Sequence, residues 1–523
     1  MFSRRVNLVF GLVFALASTP VFAQEDPVRG AAPGVNDPTE HSNQDGPNPG
    51  ASSGFTPGPA FAPNEILRLY VRLDNAAGGD GTSWPNAFRS LRTALTVASN
   101  WTGRTEIWVA RGVYRVEQDP LGRGLGFSIP ARTQVFGGFR GNEVRRHQRD
   151  AKPETNGTVL SGLISDGVQA QHVVRFENVG RGSALDGFTV EGGSATAAPA
   201  DGGGVWIWRG APTIRNVDFL DNRAGGRGGA MFVNGGRPVL SNVRFFDNTA
   251  DHGGAIALDG GALDAEGCYF QNNTADQNGG AIFAQGSDAV RLRSCDARGN
   301  SAANGGAMSI QFVSTLDDFS SVYSGNTAEF GGAIQLLSVA DASLVNMTVV
   351  NNDAAMGAAL RQDGQTFTTI ANAIVWHNDP DNVPSLDIGP SSTIDVYSSD
   401  VEYWFAGGVF DENLNTSVQP RFRNPVGADG VAGTADDDLR LQRNSPCIDA
   451  GSNRWLPFAD LLRSPILRRT LLDADGNPRR VDVASVPDTG IGRAPVVDIG
   501  AYEVEPDADD GDGTPIGPHP TLP

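Results

Sequence analysis

The chain has little of what usually staples, charges or anchors a protein. Three cysteines in 523 residues, Cys268, Cys295 and Cys447, exclude a disulfide-stapled scaffold. Charged residues make up only 19%, the formal net charge is −20 and no basic patch stands out, which argues against nucleic acid and anionic membrane as partners. Beyond the N-terminus no run is apolar and long enough to cross a bilayer, so no transmembrane segment is expected after signal cleavage. The Ala/Glu/Lys/Leu/Arg bias of helical proteins is missing as well. What is abundant is glycine, 66 residues, and proline, 32, a composition of strands and turns.

Arg4 and Arg5, the apolar run 6–17 and Val21-Phe22-Ala23 ahead of Gln24 read as an export signal over 1–23. Its removal takes the net charge from −20 to −22 and implies an exported chain, extracellular or on the outer surface of a bacterial cell. Residues 24–63 are rich in Pro, Gly and Asn without an apolar pattern and are expected to be a disordered linker. The rest divides into an N-terminal cap with irregular first coils (64–200), a regular repeat array (201–360), last coils with a C-terminal region (361–504), and an acidic disordered tail (505–523).

The array is the dominant feature. Gly-Gly followed by a small and then an apolar residue recurs at Gly203, Gly228, Gly253, Gly279, Gly305 and Gly331, with a worn copy at 356–360. The steps between starts are 25, 25, 26, 26, 26 and 25 residues. A second marker, Asn-x-Ala, travels with it at Asn222, Asn248, Asn273, Asn300, Asn326 and Asn352. Three residues before each Asn stand Phe219, Phe245, Phe270, Ala297, Tyr323 and Val349, a mostly apolar column that should point inward. Such a period means stacked copies of one small unit. Short alternating strands joined by polar corners imply flat coils paired through parallel ladders about 4.8 Å apart, wound right-handed by the crossover rule.

The expected architecture is therefore all-β, a right-handed parallel β-helix of roughly ten coils of about 25 residues. The Asn column is expected to run as an amide ladder up one corner. Ahead of it, Phe88, Leu91, Leu95 and Ala98 share one face, so a capping helix is expected over Trp84 to Ala98.

Gly-Gly-Ala-Ile with Phe-x-x-Asn, as in Phe245-Phe246-Asp247-Asn248, resembles the repeat of chlamydial polymorphic outer membrane proteins. The flanks resemble the "choice-of-anchor Q" group of bacterial β-helix proteins, in Gly81-Thr82-Ser83-Trp84 and Ala110-Arg111-Gly112-Val113-Tyr114. The C-terminal matches are Asn444-Ser445-Pro446-Cys447-Ile448-Asp449-Ala450-Gly451 and Val497-Asp498-Ile499-Gly500-Ala501-Tyr502-Glu503. The resemblance implies a pectin lyase-like fold at the cell surface. No long C-terminal translocator barrel is expected from this sequence, which departs from the polymorphic family.

Chemistry is sparse. The outward column beside the Gly-Gly strand reads Ile207, Phe232, Ala257, Phe283, Ser309 and Gln335, and the next offers a single carboxylate, Asp259, whereas glycoside hydrolysis uses two about 5–9.5 Å apart. Weak catalytic candidates are Asp251, His252 and Asp276 at a corner; the bland reading of a solvated acidic turn stands beside them. Phe232 and Phe283, two coils apart, are candidates to stack on sugars of a chain, against the alternative that they are covered aromatics. No cofactor is required; Asp251, Asp276, Asp436, Asp437 and Asp438 are candidates to hold Ca²⁺. Cys268 and Cys295 share an inward column on adjacent coils, so both a bridge and free thiols remain open. The expected function is a non-catalytic surface or extracellular protein that binds a polysaccharide or cell-surface component, or serves structurally. The alternative is a divergent polysaccharide lyase or glycoside hydrolase.

Overall fold

The computed structural model describes residues 66–75, 79–117, 126–165, 167–198, 200–378, 384–402, 409–410, 415–456 and 472–506. The export signal, the linker and most of the acidic tail lie outside them. The described chain winds into a solenoid of about 11 turns, almost entirely strand. One wall is a ten-stranded parallel sheet built from the Gly-Gly strands, among them Val205–Trp208, Met231–Asn234, Ile256–Asp259 and Ile282–Gln285. A 21-stranded sheet supplies the other walls, with a short four-stranded ladder at the corner that includes Thr249–His252 and Thr274–Asn278.

The interior follows from stacking like on like. Phe219, Phe245 and Phe270 stack face to face at 5.0 and 4.9 Å, and all three are fully buried. Truncating one would cost about 3–5 kcal/mol in lost burial and cavity. Beside them the amide ladder is continuous: the Nδ2 of Asn222, Asn248, Asn273, Asn300 and Asn326 each donates to the Oδ1 of the next, at 2.9 to 3.1 Å. Asn352 donates in turn to Asn378 at 2.9 Å. Asn378 escapes the sequence pattern because Asp379-Pro380 follows it instead of x-Ala. Each amide also binds a backbone carbonyl and amide, so a buried corner has its polar groups satisfied.

The two glycines of each repeat have different physical reasons. The first, at 228, 253, 279, 305 and 331, has φ between 63° and 68°, where an L side chain is strained. The second has ordinary φ, yet a Cβ on Gly229, Gly254, Gly280 or Gly306 would lie 2.1 to 2.3 Å from a carbonyl oxygen of the next coil.

Two expectations of register are corrected. Val205 pairs with Met231, and Gly202 rather than Gly203 takes the left-handed conformation of Gly228. The first step is therefore 26 residues, and Val205 and Ile207 point inward while Trp206 and Trp208 point out. Side chains alternate in a strand, so an error of one residue exchanges the two faces. The worn copy likewise begins at Gly357, since Ile334 pairs with Leu360.

The capping helix is shorter than the pattern suggests, Leu91–Ser99, and buries Leu91, Ala94, Leu95 and Ala98 against the end of the solenoid core. Phe88 is excluded because its backbone pairs with the first strand, its amide donating to Tyr70 O at 2.8 Å and its carbonyl accepting from Arg72 N at 2.7 Å. Trp84 turns instead onto Trp108 and Phe139, with its indole N–H on Glu143 O at 2.9 Å.

After the coils end, residues 415–456 and 472–506 run back along the side of the 21-stranded sheet. Val322, Val350, Ile374 and Trp376, all outward, pack under Leu439, Leu441, Ile499 and Tyr502. The two C-terminal motifs lie side by side here, joined by Ile499 N to Cys447 O and Gly451 N to Val497 O, both 2.9 Å. Arg479, fully buried, fastens this cover to the coils by donating to Ser320 Oγ at 3.3 Å and Asn346 O at 3.2 Å, with Glu503 3.6 Å away. Cys268, Cys295 and Cys447 are all buried free thiols, so the Cys268–Cys295 bridge is not formed.

Candidate functional site

The outward face of the ten-stranded sheet carries Phe232 and Phe283, with His252 reaching onto it from the corner ladder. Register places Arg175, Trp206, Phe232, Ala257 and Phe283 in one column, each on the coil after the last. Ser309 and Gln335 continue it. Trp206 and Trp208 lie at its N-terminal end, two apart on one strand and therefore on one face. Their rings are 5.7 Å apart and within 13° of parallel, and both are half-buried. The Arg175 guanidinium sits 5.1 Å from the Trp206 ring and that of Arg209 sits 5.6 Å from Trp208, while His172 stacks on Trp206 at 5.8 Å.

Phe232 and Phe283 do not offer ring faces to solvent, being only 2% and 3% exposed. This corrects the expectation that they stack on sugars. Phe232 is covered by the Arg227 guanidinium at 4.5 Å, and Phe283 by the His252 ring at 5.1 Å. The covering Arg227 and His252 are half-buried and form this part of the surface. Arg227 is held by two carboxylates, donating to Asp259 Oδ2 at 2.7 Å and to Asp201 Oδ2 at 3.1 Å. Asp259 is thus engaged as an ion-pair partner.

His252 is positioned by the corner ladder. Its Nδ1 faces Asn278 Nδ2 at 2.9 Å, and an amide nitrogen can only donate, so Nδ1 accepts and the neutral ring carries its proton on Nε2. Burial holds the imidazole below its usual range, the Asp251 charge acting against that shift. Gln311 Nε2 extends the network to Asn278 Oδ1 and Ser309 Oγ, both at 3.2 Å, and Ser309 Oγ donates to Gln335 Oε1 at 2.7 Å.

Asp251 and Asp276 are not register partners. Ala250 pairs with Ala275, but His252 pairs with Asn278, so a bulge separates the two acids, leaving Asp251 half-buried and Asp276 exposed. The acidic loop also differs from the Ca²⁺ expectation. Asp436 accepts from Ala428 N at 2.6 Å, Asp437 from Gly433 N at 2.7 Å, and Asp438 pairs with Arg440 at 3.2 Å. These three carboxylates close turns and an ion pair instead of converging on a centre.

A cleft of about 400 Å³ lies elsewhere, between the last coils and residues 419–425, lined in part by Trp376, His377, Phe422 and Gln442. It contains none of the sequence candidates. Sequence reasoning missed Trp206, Trp208 and Arg227; the three consecutive glycines 202–204 left the first repeat's phase ambiguous, and Arg227 acts through contacts across coils.

Comparison with known proteins agrees with this winding. A family model described as "Right handed beta helix region" matches residues 168–318 and 203–407. The fold is a right-handed parallel β-helix. Among solved structures, the crystal structure of pectate lyase Pel9A is similar to this β-helix at 12% identity, covering 84% of this chain and 96% of that one with a TM-score of 0.41. A search of curated protein sequences finds no match to the chain.

Proposed function

We propose that this β-helix is an exported, extracellular or cell-surface protein of the choice-of-anchor Q type that binds a polysaccharide chain along the outward face of its ten-stranded sheet without cleaving it. The observation that carries the reading is the stacked, half-buried pair Trp206–Trp208. Two near-parallel indoles offer apolar ring surface to sugar C–H groups, and flanking Arg175, Glu177 and Arg209 supply donors and acceptors for hydroxyls or uronate carboxylates. Further along the same face, Arg227, His252, Gln311 and Gln335 continue this supply at coil spacing, which suits an extended ligand. The carboxylates along this face are taken up in ion pairs, Asp259 with Arg227, Glu177 with Arg175 and Asp387 with Arg361, which favours binding over acid–base chemistry.

The test is affinity gel electrophoresis and calorimetry against a panel of polyuronates and neutral glycans. Trp206→Ala and Trp208→Ala should each weaken binding about tenfold or more, in line with roughly 1–3 kcal/mol for a stacked ring, with melting temperature unchanged. Binding to no glycan would favour a purely structural surface protein. Release of unsaturated or reducing-end products that ceases in His252→Ala would establish the lyase or hydrolase alternative.

A further inference from the structure

Among the described residues, one set of three acidic groups has oxygens that all lie within 4.8 Å of one another: Asp449, Asp482 and Asp488. It sits in the C-terminal cover, away from the sheet face discussed above. Two of the three, Asp482 and Asp488, are exposed, and exposed acidic groups alone would mean nothing. Asp449 is different. Its side chain is fully buried, and neither Oδ1 nor Oδ2 has a hydrogen-bond partner. A carboxylate shielded from water with both oxygens unsatisfied bears a cost of several kcal/mol unless a cation or donor meets it.

The surroundings hold that carboxylate in place while leaving its oxygens free. Asp449 sits at φ 50°, clamped by its amide donating to Asp498 Oδ1 at 2.8 Å. Its carbonyl accepts from Thr489 N at 2.9 Å and Gly490 N at 3.1 Å, so the loop that carries Asp482 and Asp488 is tied to the Asp449 backbone itself. Asp488 is aimed in turn by Oδ1 accepting from Val496 N at 3.2 Å. The Val483 amide lies toward the Asp449 carboxylate but offsets only part of the burial penalty. Burial first, then the charges of Asp488 and Asp482, push the Asp449 carboxyl up to about 6, the response of an acid whose nearest charged groups are also acids.

We propose that Asp449, Asp482 and Asp488 form a Ca²⁺ site that locks the 482–490 loop onto the Cys447–Gly451 segment. Three oxygens within 4.8 Å of one another stand close to the spacing of ligands around one Ca²⁺, and a small adjustment of the two exposed side chains brings all three to the 2.3–2.6 Å of a Ca²⁺–oxygen bond. All-carboxylate ligation selects a hard cation, and the exposed side formed by Asp482 and Asp488 leaves room for the waters that complete six to eight ligands. Mg²⁺ demands a regular octahedron with shorter bonds, which three acids on two separate segments do not impose.

The experiment uses the full chain after EDTA treatment and dialysis, titrated calorimetrically with CaCl₂ and, separately, MgCl₂, with the melting temperature recorded in each. One Ca²⁺ per chain and a rise in melting temperature are expected, with a weaker response to Mg²⁺. Asp449→Asn should weaken Ca²⁺ binding at least tenfold and abolish the rise. Should that buried variant misfold, the exposed double change Asp482→Asn with Asp488→Asn leaves the fold intact and must give the same loss. The proposal is overturned if the wild-type chain binds no Ca²⁺ at millimolar concentration or responds equally to Mg²⁺. It is also overturned if the double variant binds as the wild type does, which would move the ion to another acidic stretch.

Discussion

Two outward faces of one solenoid have met opposite fates. The column of the 21-stranded sheet that runs through Asp218, Arg244 and Tyr269 is polar over these coils, with Arg244 buried between Asp218 and Glu154. It turns apolar or small at Val322, Thr348 and Ile374, and there the C-terminal region lies over it. The ten-stranded sheet shows the reverse. Among the described residues, its aromatic outward residues are covered by single side chains such as Arg227 and His252, and at its N-terminal end Trp206 and Trp208 meet each other, two guanidinium groups and an imidazole. A repeat fixes the inside of a coil; the outside is free to vary, and a chain that returns over one wall leaves the other open.

Breaking the covered face should produce the largest effect. Arg479→Ala removes the buried cation shared by Glu503, Ser320 and Asn346 and is expected to destabilise by about 3–5 kcal/mol, read as a lower urea midpoint with early loss of the C-terminal cover to protease. The lumen that lies beneath both faces provides a second test. Asp318, fully buried, accepts from Tyr323 OH at 2.6 Å and from Ser321 Oγ, and burial pushes its carboxyl up to about 6. A raised carboxyl binds its proton more tightly in the folded state. The stability it contributes is therefore full below about pH 4 and is lost as pH rises through 6, roughly 2–3 kcal/mol in all. Asp318→Asn should flatten that part of the stability–pH curve measured by denaturation between pH 4 and 7.

Asn273→Ala interrupts the ladder common to both walls and should cost about 1–3 kcal/mol, since Asn248 loses its acceptor and Asn300 its donor inside a dry corner. The open face should be the most tolerant. Trp208→Ala is expected to change stability by less than about 1 kcal/mol while weakening glycan binding, because a half-buried ring on an uncovered sheet has little packing to lose. A large loss of stability there would mean that the two faces are not as different as their coverage suggests.

The period alone makes most of the fold legible. Asn222 to Asn352, the Phe219–Phe245–Phe270 column and the Gly-Gly corners are each repeated at one spacing, and repetition can be read without knowing any contact between coils. The candidate site is less legible because it consists of what the repeat leaves free. Phe232 and Phe283 are correctly placed outward, but their exposure depends on Arg227 and His252 reaching across from the corner ladder. The face of Trp206 turns on which of three adjacent glycines opens the coil, and only the pairing of Val205 with Met231 decides it.

By itself, then, the sequence determined the coil, its period and its inward columns, because those depend on local alternation and on like residues stacking at one rise. Which outward wall is covered, where Arg479 is buried and how Asp449 comes within reach of Asp482 and Asp488 were decided only by the tertiary structure. Those contacts join residues up to 179 positions apart, as from Ser294 to Asp473, and follow no period. A return path over a solenoid wall is set by the summed complementarity of two surfaces, which no single stretch of chain encodes.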